Sequence, residues 1–227
     1  MNACCLEEMI KYEAKTMLIS VSHPEFMTIT DSQARQSYFG GAQEWYSFEW
    51  GRIAGCGPTC AANLLAYLAL TRPALRDLYR GRSRDRIEFL RHMEEIFPFV
   101  TPGPMGLNRV ELFSKGVVAF AASRDVLLTP HVFAVTGNRN PGRPPVSALV
   151  AFVRAGLAAD CPLAFLNLSR GRVKNLQNWH WVSITSVDIE TDQLTARASD
   201  EGIPREFNLR LWYLSTQMSG GLVYFTQ

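Results

Sequence analysis

The apolar positions repeat at two different periods, and the change falls near residue 125. From 57 to about 122 the spacing is helical. "GPTCAANLLAYLAL" is apolar on most sides, which predicts a buried helix, and Pro58 suits its first turn, where a missing N–H costs nothing. "PALRDLYRG" reads as a second helix ending at Gly81, a suitable C-cap. Ser83 is placed to cap a third, with Ile87, Leu90, Met93 and Ile96 on one stripe. "TPGPMG" breaks the chain before "LNRVELFSKGVVAFAAS" resumes the helical period. Past 125, "HVFAVTG", "PLAFLNLS", "HWVSITSVDI", "QLTARASD", "REFNLRLWYL" and "GLVYFT" are short β-prone runs between polar turns, with one helix, "ALVAFVRAGLAA", capped by Ser147. Upstream, residues 6–18 predict a short helix, and "QSYFGGAQEWYSF" an aromatic loop that packs.

Helices first and strands later predict an α+β fold. The expected plan is a single domain over 1–227: an extension over 1–40, a mainly helical lobe over 41–125, and a mainly antiparallel β lobe over 126–227, packed across a cleft.

Composition narrows the function. The 227 residues are 47% apolar, enough for a substantial core, and the net charge of +2 gives no whole-chain reason to bind nucleic acid. No stretch approaches the ~18 apolar residues of a membrane span. Glu7 and Glu8 stand where an export signal needs a basic start and an apolar run. Five cysteines, an odd number in no regular framework, predict reduced thiols in a cytoplasmic protein. Adjacent Cys4 and Cys5 read as incidental.

Cys56 is different: it sits between Gly55 and Gly57 at the predicted helix start. A thiol there meets the positive end of the helix dipole, which favours a thiolate. The glycines allow a substrate backbone to approach, and a first-turn amide can donate to an oxyanion. A cysteine nucleophile also needs a base, and the base an orienting partner. Only four histidines compete. His23 lies in a turn, His92 on the exposed-looking part of the Arg-rich helix, and His131 at a strand start. His180 opens an alternating strand between two tryptophans and fits the base best. Asp200, twenty residues on and past a hairpin-like turn at "IETDQ", falls on the neighbouring strand, where a carboxylate can fix the imidazole tautomer. Asp188 and Asp192 sit at the strand end and in its turn, positions that favour solvation.

With "GCGPTCAANLLAYL", the "PLAFL" strand, "HWVSITSV", "SDEG" and the terminal "GGLVYF" in this order, the chain resembles papain-like cysteine peptidases over residues 38–227. The nearest branch is the bacterial group of double-glycine leader peptidases, with clostridial-type members. The resemblance implies a papain-like fold, Cys56 as nucleophile, His180 as base and Asp200 as its orienting carboxylate. It also implies an upstream glutamine for the oxyanion hole. The nearest glutamine is Gln43, thirteen residues before Cys56, a longer gap than the family shows. The chain departs from the Cys–Gly–Ser–Cys–Trp signature of papain itself, so substrate preference does not carry over.

The expected reaction is cleavage of a peptide, isopeptide or other amide bond in a peptide or protein, through a thioester on Cys56. It calls for no cofactor and no metal. The same site would form amides if an amine replaced water. The alternatives are a non-catalytic module that binds peptide in the cleft, a zinc site from Cys56, Cys60, Cys161 and His180, and an anion-binding patch from Arg72, Arg76, Arg80, Arg82, Arg84, Arg86 and Arg91. Cys60, one turn beyond Cys56, reads as a packing residue, and the arginines as a solvated surface with Asp77, Asp85 and Glu88 for partners. "GPMG" is a turn without the Gly–Lys–Ser/Thr ending of a phosphate loop. Trp45, Tyr46, Phe48 and Trp50 are candidates for a cleft lining or for core.

Overall fold

A computed structural model describes residues 17–227. In chain order the elements are β1 (Met17–Ser20), β2 (Thr28–Asp31), β3 (Gln36–Phe39), α1 (Glu49–Ala54), α2 (Cys56–Thr71), α3 (Arg86–Ile96), α4 (Val110–Ala122), β4 (Thr129–Val135), α5 (Val146–Ala158), β5 (Leu163–Asn167), β6 (His180–Ile189), β7 (Leu194–Asp200), β8 (Ile203–Asn208), α6 (Leu209–Ser215) and β9 (Gly220–Thr226). Cys4, Cys5, Glu7, Glu8 and most of the helix expected over 6–18 lie outside the described residues. The last two positions of that span, Met17 and Leu18, are extended and pair with β6.

The α+β class holds. Seven strands form one antiparallel sheet in the order β4-β9-β5-β6-β7-β8, with β1 joining β6, and β2–β3 form a separate hairpin. The expected division into a helical and a β lobe is only approximate, because helices cover both faces of the sheet. Adjacent residues of a strand point to opposite faces. On β9, Tyr224 meets Phe152 of α5, while Phe225 meets Phe113 of α4. Thus α2 and α4 lie on one face and α5 on the other, where α6 also packs against α5. With both faces covered, β5 and the first six residues of β6 are buried without alternation.

Helix α2 is the central element. Leu64, Leu65, Tyr67 and Leu68 are fully buried, as an apolar run without a polar face requires. Four local expectations fail for identifiable reasons: first, Ser147 lies inside α5, whose extended N-cap residue is Pro145. "PALRDL" is a 3-10 helix opened by Pro73. The cap of α3 is Asp85, whose carboxylate accepts from Ile87 N–H, while the hydroxyl of Ser83 accepts from Asp85 N–H. "REFNLRLWYL" is not one strand: Asn208 ends β8 and caps α6 by accepting from Leu211 N–H at 2.7 Å.

Candidate active site

Cys56, Cys60 and Asn63 follow one face of α2 at spacings of four and three residues. Cys60 donates to the Val182 carbonyl at 3.3 Å and accepts from Ser183 Oγ at 3.3 Å. Asn63 Nδ2 donates to Ser183 Oγ at 3.1 Å and Ser199 Oγ at 3.3 Å, and its Oδ1 accepts from Gly41 N–H at 2.9 Å. These bonds fix the height of α2 against β6 and β7. Cys56 lies one turn before Cys60, about 6 Å along the axis. His180 lies two residues before Val182, about 6.6 Å along β6. The two steps match, so sulfur and imidazole arrive at the same level.

Three strands then carry a diagonal row of side chains. His180 Nε2 and Asp200 Oδ1 are 2.7 Å apart, and Arg205 Nε donates to Asp200 Oδ2. The side chains of His180 and Asp200 are 9% and 1% exposed, so water screens neither. The Cys56 thiol is the other group that acts on the ring and favours its charged form. Burial disfavours the charged ring, but hydrogen bonds to Asp200 and Cys56, and their charge, outweigh it and hold His180 above the usual imidazole range. For Asp200, burial also opposes ionisation. The bond and charge from His180, with Arg205 behind, hold its carboxyl below the usual range.

A β-bulge sets this alignment. β6 and β7 pair as Val187↔Ala196 and Ser186↔Arg197, then slip by one residue at Thr185 to Ile184↔Ala198 and Ser183↔Ser199. Continued without the slip, the pairing would set Asp200 opposite Ser183, on the far face from His180. With it, Asp200 falls opposite Val182 and shares the face of His180. The Thr185 carbonyl accepts from Val21 N–H at 2.9 Å, which braces the bulge from the end of β1.

The β7–β8 connection is a two-residue hairpin turn, Glu201–Gly202, with φ of +50° and +78°. Two residues of positive φ are the signature of a turn that matches strand twist. Glu201 turns back into the site: its Oε2 accepts from Gln43 N–H at 2.8 Å, and its Oε1 lies 3.8 Å from His180 Nε2. Gln43 itself opens a 3-10 turn, and its Nε2 donates to the Arg52 carbonyl at 2.9 Å, four residues before Cys56. The structure therefore draws Gln43 to the end of the site where α1 leads into Cys56, despite the long gap in sequence.

Cys56 opens onto a cleft of about 410 Å³ lined by Trp50, Ile53, Met105, Leu107, Trp179 and Trp181, among others. One wall is the 102–107 loop. The Trp50 indole N–H donates to the Pro102 carbonyl at 3.3 Å and that of Trp181 to the Leu107 carbonyl at 2.6 Å, which ties down both ends of the loop. Met105, 63% exposed, stands at its tip. Of the four aromatics considered from sequence, Trp50 lines the cleft, Trp45 and Tyr46 are buried, and Phe48 packs on Tyr46 and Phe97.

The competing residues are placed elsewhere. His92 is not exposed: it is buried among Tyr79, Phe89 and Phe120. His131 stacks on Tyr224 at the sheet edge, and His23 pairs with Glu25. Asp192 pairs with Arg210. Cys161 donates to the Phe225 carbonyl at 3.0 Å, and Cys60 is held in the core as described, so the proposed zinc quartet does not assemble. His180, Asp200 and Glu201 offer ligand atoms within 4.8 Å of one another. Both Asp200 oxygens are engaged, one by the Arg205 cation, which makes the cluster a poor cation cage. Several arginines of the 72–91 run are also committed. Arg72 binds the Ala159 and Asp160 carbonyls, Arg84 the Glu25 carbonyl, Arg86 the Asp31 carboxylate and Arg91 that of Glu88.

Arg205 and Glu201 were not read from the sequence as site residues. Arg205 had a faint signal, since it falls on one face with Asp200 once "EG" is recognised as a two-residue hairpin turn. Comparison with known proteins adds no relative: no family model matches the chain and no curated protein matches it. No helix among the described residues is long and apolar enough to cross a membrane.

Proposed function

We propose that the protein is a cysteine hydrolase of papain-like type that cleaves a peptide, isopeptide or other amide bond through a thioester on Cys56. The observation that carries this reading is the buried His180–Asp200 pair, 2.7 Å apart, with the half-buried Cys56 thiol as the other group that favours the charged ring. Asp200 fixes the tautomer and stabilises the imidazolium, and the imidazolium stabilises the thiolate. The thiolate attacks the amide carbonyl, and the Cys56 first-turn amide with the Gln43 side chain is the donor pair proposed for the oxyanion. His180 passes its proton to the leaving amine, then takes one from the water that releases the acid. The apolar cleft offers the substrate a place for its side chains beside the bond to be broken.

The test is intact-mass analysis after brief exposure at pH 6 to an electrophilic peptide-like probe. The expected result is rapid single labelling, mapped to Cys56, absent in Cys56→Ala and slowed at least ~100-fold in His180→Ala. Labelling at the rate of free cysteine, indifferent to His180→Ala, would overturn the proposal and leave a peptide-binding module.

A further inference from the structure

Glu201 joins two parts of the site that no other side chain among the described residues is seen to connect. It follows Asp200 directly and takes positive φ, a backbone state uncommon for a residue with a side chain. That state turns its carboxylate inward. One oxygen accepts from Gln43 N–H at 2.8 Å; the other lies 3.8 Å from His180 Nε2, on the same nitrogen that Asp200 serves. One short side chain thus spans from the turn that carries Gln43 to the ring of the base.

We propose that Glu201 is a positioning residue of the acyl-transfer site: it straps the Gln43 turn to the base and supplies a second negative charge that favours the protonated His180 ring. This rests on the reading of Cys56 and His180 as nucleophile and base. The charged and titratable groups around the ring are Cys56 from α2, Asp200 from β7, Glu201 from the hairpin turn, and Arg205 from β8 acting through Asp200. Glu44 and Asp200 face Glu201 in turn, and Tyr46 feels both Cys56 and Glu201. Of these, Glu201 alone contacts both the base and the Gln43 backbone. Burial raises its carboxyl above the usual range, against the pull of His180 and of the Gln43 N–H, so its charge and that of the ring are linked.

The strap and the charge separate in Glu201→Gln. A glutamine oxygen still accepts from Gln43 N–H, but the charge is gone. The measurement is the rate of Cys56 alkylation by iodoacetamide from pH 4 to 11, with the site confirmed by mass mapping. A thiolate–imidazolium pair gives two inflections, the upper one marking loss of the His180 proton. In E201Q the upper inflection moves down by about one pH unit, as expected for loss of an opposite charge within ~4–6 Å of the ring, with the melting temperature unchanged. Glu201→Ala moves the same inflection by a similar amount and also lowers the melting temperature, because the Gln43 N–H loses its acceptor. An upper inflection that superimposes on wild type in both variants would overturn the charge role and leave Glu201 a structural strap only. If wild-type Cys56 shows a single inflection that His180→Ala leaves unmoved, the nucleophile–base reading itself fails, and this inference with it.

Discussion

At the scale of single residues, the site is assembled by matching donors to acceptors in a place where water cannot. Asp200 meets two cationic groups, and each of its oxygens has one partner. His92 shows the opposite case. It sits on the face of α3 turned toward the core, its ring held edge-on by Tyr79, and neither ring nitrogen makes a hydrogen bond of good geometry. Burial pushes it down to about 3; a backbone carbonyl at Ala62 returns part of that shift and Arg124 adds repulsion. The unfolded chain takes up this proton near pH 6.5, whereas the folded chain refuses it until about 3. The stability it affects is therefore intact above 6.5 and falls with pH down to about 3, by up to ~1.4 kcal/mol per unit. His92→Phe, matched to its aromatic neighbours, should remove that slope. Chemical denaturation at pH 7 and pH 5 should show wild type losing about 2 kcal/mol more than the variant. Equal losses would place the acid sensitivity elsewhere. The sequence placed His92 on an exposed face because the surrounding arginines dominate the pattern. Its position one residue before Met93, within the apolar stripe, was the signal against that reading.

At the scale of elements, one bulge decides which residues share a face. Sequence spacing placed His180 and Asp200 on neighbouring strands but left their faces open, because a one-residue slip reverses every side chain beyond it. Thr185 is that extra residue. Its deletion should make the pairing continuous without moving either half, because Ile184↔Ala198 and Ser186↔Arg197 become consecutive pairs, so Asp200 stays on the face of His180 and Cys56 labelling should stay within about tenfold of wild type. Far-UV circular dichroism should keep its sheet signal. If the deletion folds but labels at least ~100-fold more slowly, the alignment depends on more than the strand register. The long apolar helix after Cys56 and the strands "HWVSITSVDI" and "QLTARASD" were legible because their patterns are strong and continuous. The β8–α6 boundary was not, because apolar Leu209, Trp212 and Tyr213 continue a β-prone run while following helical spacing. Asn208 was the only local cue to the change, and caps are weaker signals than runs. Gln43 came from resemblance, and neither its link to Glu201 nor that to Arg52 can be read from spacing, since each depends on tertiary contact.

At the scale of the molecule, the sheet brings together parts of the chain 124 residues apart (180 − 56) and leaves one apolar opening at their junction. The opening and the reactive groups are separable. Met105 stands on a loop tied down by Trp50 and Trp181, lines the cleft and makes none of the hydrogen bonds of His180 and Asp200. Burying one apolar side chain contributes roughly 1.5–3 kcal/mol, which is about 10- to 150-fold in affinity. A peptide-like electrophile with a leucine side chain beside its reactive carbon should thus label Cys56 at least ~10-fold faster, at low probe concentration, than one with aspartate there. Met105→Asp places a carboxylate at the mouth and should slow the leucine probe at least about fivefold, since a charge there disfavours apolar contact. The rate with iodoacetamide, too small to span the cleft, should stay within about twofold of wild type. Such a split would assign recognition to the cleft wall and reactivity to the Cys56–His180–Asp200 chain. If Met105→Asp slowed iodoacetamide as much as the peptide probe, the loop would be acting on the sulfur, and the cleft would lose its separate role.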